Sequence, residues 1–192
     1  MVEWDGWIAP APFRWETKEN EQQKEQRMDV LEAIASKRAV RHFTDQPIAD
    51  EDLYAILNAG RRAQSSKNTQ PWTFIAIRDR QTLQRLSECG VYAGHLAGAA
   101  VGVALLSAGP TSFDLGQAAA YLQLAAWELG IGSCIASIYE PERAREILGI
   151  PEAYSFDIAL SLGYPDPAAA RPAAPPGQGR RSFDEVVRFE RW

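Results

Sequence analysis

Lys37-Arg38-Ala39-Val40-Arg41-His42-Phe43 and, one helix later, Ser65-Ser66-Lys67-Asn68-Thr69-Gln70-Pro71-Trp72 are the stretches on which the reading turns. The first packs three fixed cations into five residues at the end of a helical pattern, which it closes. The second is a turn rich in amides and hydroxyls, closed by Pro-Trp just before a strand. A dianionic group needs several fixed positive donors, and arginine offers a planar fork that never loses its proton. Together the two stretches suit a planar polar ring with an anionic tail, a ligand that would carry the chemistry itself.

Outward from these motifs, Val30, Leu31 and Ile34 share one face of the preceding helix, and Asp50 is placed to cap the next, which carries Leu53, Ile56 and Leu57. Thr73–Ile77, Ala99–Leu106 and Phe156–Leu162 read as buried strands, and Ser133–Ile138 as a short extended segment. Gln81–Cys89 and Pro141–Leu148 read as short helices, the latter opening on proline. Phe113–Leu129 is the strongest helix. Its apolar stripe of Leu115, Ala118, Ala119, Leu122, Ala125, Ala126 and Leu129 is small enough for close contact on more than one side, as in a central helix or a helix pair between subunits. Residues 165–179, rich in Pro, Ala and Gly, read as an extended arm, and Ser182–Trp192 as a short strand or helix. The irregular alternation predicts an α+β fold, a central sheet covered by helices.

Composition narrows the function. The 192 residues suit one domain, and 46% hydrophobic residues are ample for a packed core. A net charge of −5 argues against nucleic acid, while basic clusters at 37–41 and 180–181 fit a small anion. Two cysteines, Cys89 and Cys134, and two histidines, His42 and His95, lack metal-ligand spacing. No apolar run approaches a membrane span, and the N-terminus has no signal-peptide pattern, so the expected location is the cytoplasm. Residues 1–27, with Trp4, Trp7, Phe13 and Trp15 among prolines, form a separate extension that is either disordered or docked through its aromatics. No dinucleotide-binding Gly-rich turn, Walker loop or nucleophile elbow is present.

Four motifs in order resemble the FMN-dependent nitroreductase-like flavoproteins over residues 28–192. The family's Arg-Arg-Ser-x-Arg-x-Phe corresponds to Lys37–Phe43, and its Pro-Ser-x-x-Asn-x-Gln-Pro-Trp turn to Gln64–Trp72. Its Gly-Leu-Gly-Ser-Cys is similar to Gly130-Ile131-Gly132-Ser133-Cys134, and its Leu-Gly-Tyr-Pro, arm and Arg-Arg ending to Leu162–Pro165 and Arg180-Arg181. The resemblance implies a mostly antiparallel central sheet flanked by helices, in an intertwined homodimer with FMN at the interface and the arm spanning 165–192. Lys37, Arg38, Ala39 and Arg41 would hold phosphate and pyrimidine edge. Ser65, Ser66, Asn68 and Gln70 would come from the second subunit, and Arg180 and Arg181 would return to the phosphate. Ala136, Ser137 and Ile138 would pass the flavin N5.

Three positions depart from the family pattern. Ala39 replaces a serine, Gln64 a proline, and Ser137-Ile138 a Gly-Gly pair. Taken singly, the motifs also suit a solvated helix end, an ordinary turn and a solvated tail pair. Cys134 suits a small buried residue, Trp72 a core position, and His95 either a satisfied histidine or a contact to the flavin's pyrimidine edge. The function implied is ping-pong transfer of electrons from NADH or NADPH, through FMN and without a side-chain nucleophile, to nitroaromatic, quinone-like or other electron-poor acceptors. The same fold also admits reductive dehalogenation, heterocycle oxidation, flavin fragmentation or flavin binding without turnover.

Overall fold

In the computed structural model, which describes residues 28–109, 113–169 and 179–192, four strands form one sheet in the order β1-β2-β4-β3. They are β1 Trp72–Ile77, β2 Val101–Ala108, β3 Gly132–Ser137 and β4 Tyr154–Gly163, and every neighbouring pair is antiparallel. The expected mostly antiparallel sheet is thus antiparallel throughout. β2 is buried along seven of its eight residues because helices cover both faces of the sheet. Its alternation splits the core in two. Val103 and Leu105 pack with Ile56, Leu115, Leu122, Leu160 and Leu162, whereas Ala104 and Leu106 pack with Leu83, Leu86, Leu96 and Phe156. β1, expected to be buried, is an edge strand in which only Ile77 is fully covered.

The helices are α1 Val30–Ser36, α2 Asp50–Gly60, α3 Arg80–Ser87, α4 Phe113–Glu128, α5 Pro141–Leu148 and the short α6 Phe183–Val186. Local chemistry sets their ends. Asp79 accepts from Thr82 N at 2.7 Å to start α3, a cap worth about 1 kcal/mol. Pro141 opens α5, and Gly149 closes it at φ 64°. Asp50 is not the cap expected of it. Ala49 holds that position, and the Asp50 carboxylate pairs with Arg78 instead. Gly60 closes α2 against α4, where a Cβ would come within 2.6 Å of Leu122.

The face of α1 read as apolar is exposed: Val30, Leu31 and Ile34 are 63, 71 and 55% accessible. Phe113 and Tyr121 of α4 are also exposed, which leaves an apolar surface on the two helices that the other described residues do not cover.

The basic stretch does not continue α1. The helix stops at Ser36, Lys37 caps it, and the chain becomes an extended strap across the ends of β3 and β4. Val40 N donates to Ser133 O at 3.0 Å, Thr44 N to Tyr164 O at 2.9 Å and Asp166 N to His42 O at 3.1 Å. Two glycines permit this approach. A Cβ on Gly132 would lie 2.7 Å from Val40 Cβ, and one on Gly163 would lie 2.8 Å from the Phe43 ring. Gly163→Ala should therefore lower stability by about 1–3 kcal/mol through overpacking, read as a lower midpoint in chemical denaturation. An unchanged midpoint would mean the strap yields without cost.

Candidate functional site

The strap places its cations by different means. Lys37 is half-buried, and its Nζ donates to Gln123 Oε1 at 3.0 Å. Burial lowers the Lys37 pKa, and Arg180, brought close by the C-terminal segment, lowers it further, while Cys134 opposes both. Arg180 thus lies near enough to act on Lys37 electrostatically although 143 positions separate them (180 − 37). Arg181 follows Arg180 and is exposed. Arg38 donates to the carbonyls of Ala35 and Lys37 at 2.8 and 2.9 Å, so it also serves the helix end. Ala39 contributes backbone, bridging to Ser133. The Ser133 hydroxyl is buried and meets no partner.

The hydroxyl-and-amide turn is strained. Lys67, Asn68 and Gln70 have φ of 52°, 54° and 47°, left-handed values that each cost about 1–3 kcal/mol outside glycine. The turn is held by Gln70 N donating to Ser65 Oγ at 2.9 Å and Ser66 N donating to the Asp114 carboxylate at 3.0 Å. Ser66, Asn68 and Gln70 are exposed. The turn and the strap lie at opposite ends of the sheet. Trp72, just after the turn, faces Ser107 on β2, whereas Val101 faces Leu162 beside the strap. The six intervening steps span about 20 Å. The structure does not bring Lys37 and Arg41 together with Ser65–Gln70 within one chain.

Strand β3 runs between these ends along the open edge of the sheet. Ile138 N donates to Asp157 O at 2.9 Å, and the register places Ala136 in the same hydrogen-bonded phase toward β4. Of the three residues expected beside a flavin N5, Ser137 alone turns its N–H away from β4. Its side chain is exposed, whereas Ala136 and Ile138 are buried in the core. The backbone donors of Ala136 and Ile138 belong to the sheet. Gly90 lies against the Ser137 carbonyl, where a Cβ would collide.

A cavity of about 590 Å³ opens beside this edge, lined by Arg41, His42, Phe43, Tyr92, Gly94, His95, Gly98, Ile135 and Asp166. His95 Nδ1 lies 2.7 Å from Ser161 Oγ, and that oxygen also reaches the Cys134 carbonyl at 3.4 Å. His95 Nε2 is buried without a partner in hydrogen-bonding geometry; the Ile135 backbone is close enough only to favour the charged ring weakly. Burial, then Arg41, holds the His95 pKa below its ordinary value. Burial pushes the Cys134 thiol up, against Arg41 and Lys37. The wall formed by Tyr92, Gly94, Gly98 and Ile135 carried no sequence signal, since only the fold sets that loop against the strap.

The chain belongs to the Nitroreductase family, whose pattern it matches over residues 34–89 and 110–164. A protein of Archaeoglobus fulgidus named as a candidate NADH dehydrogenase/NAD(P)H nitroreductase is 37% identical over 149 residues, covering 71% of this chain and 86% of that one. The solved FMN-dependent nitroreductase of Clostridium difficile superimposes with a TM-score of 0.73 at 28% identity, over 83% of this chain and 98% of that one. The NADPH:FMN oxidoreductase of Vibrio harveyi, solved with NAD+, shares the fold at a TM-score of 0.70 and 23% identity, over 85% of this chain and 77% of that one.

The depressed His95 pKa has a consequence for the ligand-free protein. Below the ordinary value of 6.5 the unfolded chain binds the proton more readily than the folded one, so stability rises with pH in that interval. The contribution is complete above the ordinary value and is lost as pH falls toward the folded value. His95→Gln should flatten denaturation stability between about pH 5 and 7; an undiminished slope would assign the dependence to another group.

Proposed function

We propose that the chain is a homodimeric FMN-dependent oxidoreductase that takes electrons from NADH or NADPH and passes them to nitroaromatic, quinone-like or other electron-poor acceptors in alternating half-reactions. The observation that carries this reading is the separation of the two motifs. A strained turn and a cationic strap at opposite ends of one sheet can serve one ligand only if a second copy supplies the other half. The uncovered apolar surface of α1 and α4 supports that arrangement, because exposed apolar patches of this kind mark association surfaces.

The residues fit FMN. Lys37, Arg180 and Arg181 supply fixed positive charge for a phosphate, with Arg38 assisting from the helix end. Arg41 borders a cavity that also offers the unpartnered His95 Nε2 to a polar ring edge. Ser137 offers a backbone donor. Ser65, Ser66, Asn68 and Gln70 of a second copy would close the ligand from the far side. When bound, FMN supplies the two-electron chemistry. Arg41 would face a polar edge of the ring from the cavity wall, and the mouth stays open beside Tyr92, which is 75% exposed. Residues 28–192 form the flavin-binding unit, with 165–192 as its arm; the extension 1–27 and residues 170–178 of the arm lie outside the described residues. Among the described residues no helix is long and apolar enough to cross a membrane, and Cys89 and Cys134 are free thiols. Free thiols suit a reducing compartment such as the cytoplasm.

Purified protein should be yellow or take up FMN, and NADH or NADPH should bleach it anaerobically; a colourless protein that takes up no FMN overturns the reading. Lys37→Ala should weaken FMN binding about 10–100-fold, the loss expected for a charged hydrogen bond, and should leave riboflavin binding much less affected. Homodimers of Arg41→Ala and of Asn68→Ala, each deficient in binding, should regain FMN binding when their subunits are exchanged. Each mixed dimer then holds one site with both halves intact. Failure to regain binding would place all the ligand contacts within one subunit.

A further inference from the structure

The polar chain behind the cavity is built to accept a proton without moving a heavy atom. His95 is fixed through Nδ1 to Ser161 Oγ at 2.7 Å, and the Ser161 hydroxyl has a second outlet, the Cys134 carbonyl at 3.4 Å. With the ring neutral, the hydroxyl can donate to Nδ1. With the ring protonated, Nδ1–H donates to Ser161 and the hydroxyl turns to the Cys134 carbonyl. Only a hydrogen atom rotates. The other nitrogen, Nε2, already carries the N–H of that neutral ring; it is buried with no partner in hydrogen-bonding geometry beyond the nearby Ile135 backbone, so the added proton goes to Nδ1.

The charged and titratable groups around this ring come from four segments. The strap contributes Arg41 and His42, and β3 contributes the Cys134 thiol and the Ile135 backbone. Beyond β4 lies Asp166, whose carboxylate is turned to Ala168 N at 2.8 Å, and Tyr92 precedes His95 on its own segment. Burial and Arg41 oppose a proton on His95 while the cavity holds no anion. An anion seated against Arg41 reverses that field, because it neutralises the guanidinium and attracts the imidazolium directly.

We propose that His95 takes up a proton from solvent when the flavin bound beside it accepts two electrons. This inference rests on the flavin reading given above. The balance is as follows. The nicotinamide donor would give up a hydride, which is two electrons and one proton, and the flavin would take up both, gaining one negative charge. One further proton passes from solvent to His95, and the oxidised nicotinamide leaves. The cavity then carries a cationic imidazolium beside the anionic ring. Oxidation would pass the hydride equivalent from the ring to the acceptor, and the His95 proton would leave to the reduced acceptor or to solvent.

The test is the midpoint potential of the FMN-loaded protein measured between about pH 6 and 8, the range in which histidine titrates. For a two-electron couple each proton contributes about 30 mV per pH unit, the tenfold constant of such a couple. Wild-type protein should show a slope near 59 mV per pH unit, two protons for two electrons, and His95→Gln a slope near 30 mV. Ser161→Ala keeps the imidazole but removes the acceptor for Nδ1–H, so it should narrow the steep region toward lower pH. It also covers the case in which His95→Gln fails to fold. Equal slopes in wild type and His95→Gln, or a wild-type slope near 30 mV throughout, overturn proton uptake at His95. Protein that takes up no FMN fails earlier, at binding, and overturns the flavin reading with it.

Discussion

The bridge between the strap and the end of β3 is the constraint on which the rest depends. Val40 N donates to Ser133 O, and Ala39 pairs with Ser133, so the segment that carries Lys37, Arg38 and Arg41 is fixed by backbone rather than by flexible side chains. Gly132 and Gly163 make the approach possible by leaving room for Val40 and Phe43. Cations on long side chains are costly to order, so a rigid backbone beneath them lowers the entropy lost when a ligand binds. The same bridge brings Arg41 to one wall of the cavity whose opposite wall carries His95.

The strained turn is the counterpart of that rigidity. Three left-handed residues in a stretch of four are expensive, at about 1–3 kcal/mol each. Ser65 and Asp114 fix the conformation from behind and leave Ser66, Asn68 and Gln70 facing outward. Backbone strain of this kind is a property of sites that must present several groups in one orientation. The turn lies about 20 Å along the sheet from the strap, so one chain does not bring the two motifs together.

His95 shows how a neutral residue can matter electrostatically. It lies where the strap, β3 and β4 converge, partly desolvated and beside a permanent cation. Burial, then that cation, holds its pKa below the ordinary value. Cys134, in the same neighbourhood, is held as an un-ionised thiol by its burial, so the local positive field is not cancelled from behind.

Much of this was legible in the residues. Continuous apolar runs located β2 and β4, proline and glycine bounded α5, and the order of four short motifs identified the family. These features act over a few residues, where sequence alone sets the chemistry. Other features were set by contacts between distant segments. The apolar face of α1 is real in the sequence, but its exposure depends on what packs against it. Asp50 looked like a cap until Arg78, 28 positions away, drew its carboxylate aside. The register of β3 against β4 decided that Ser137, and neither Ala136 nor Ile138, keeps a donor at the sheet edge. The electrostatic reach of Arg180 to Lys37, the shared cavity of Arg41 and His95 and the separation of strap from turn likewise follow from topology. Sequence by itself determined which groups are available and which local bends they prefer. Tertiary structure decided which of them meet, because register and strand order fix distances that spacing along the chain does not.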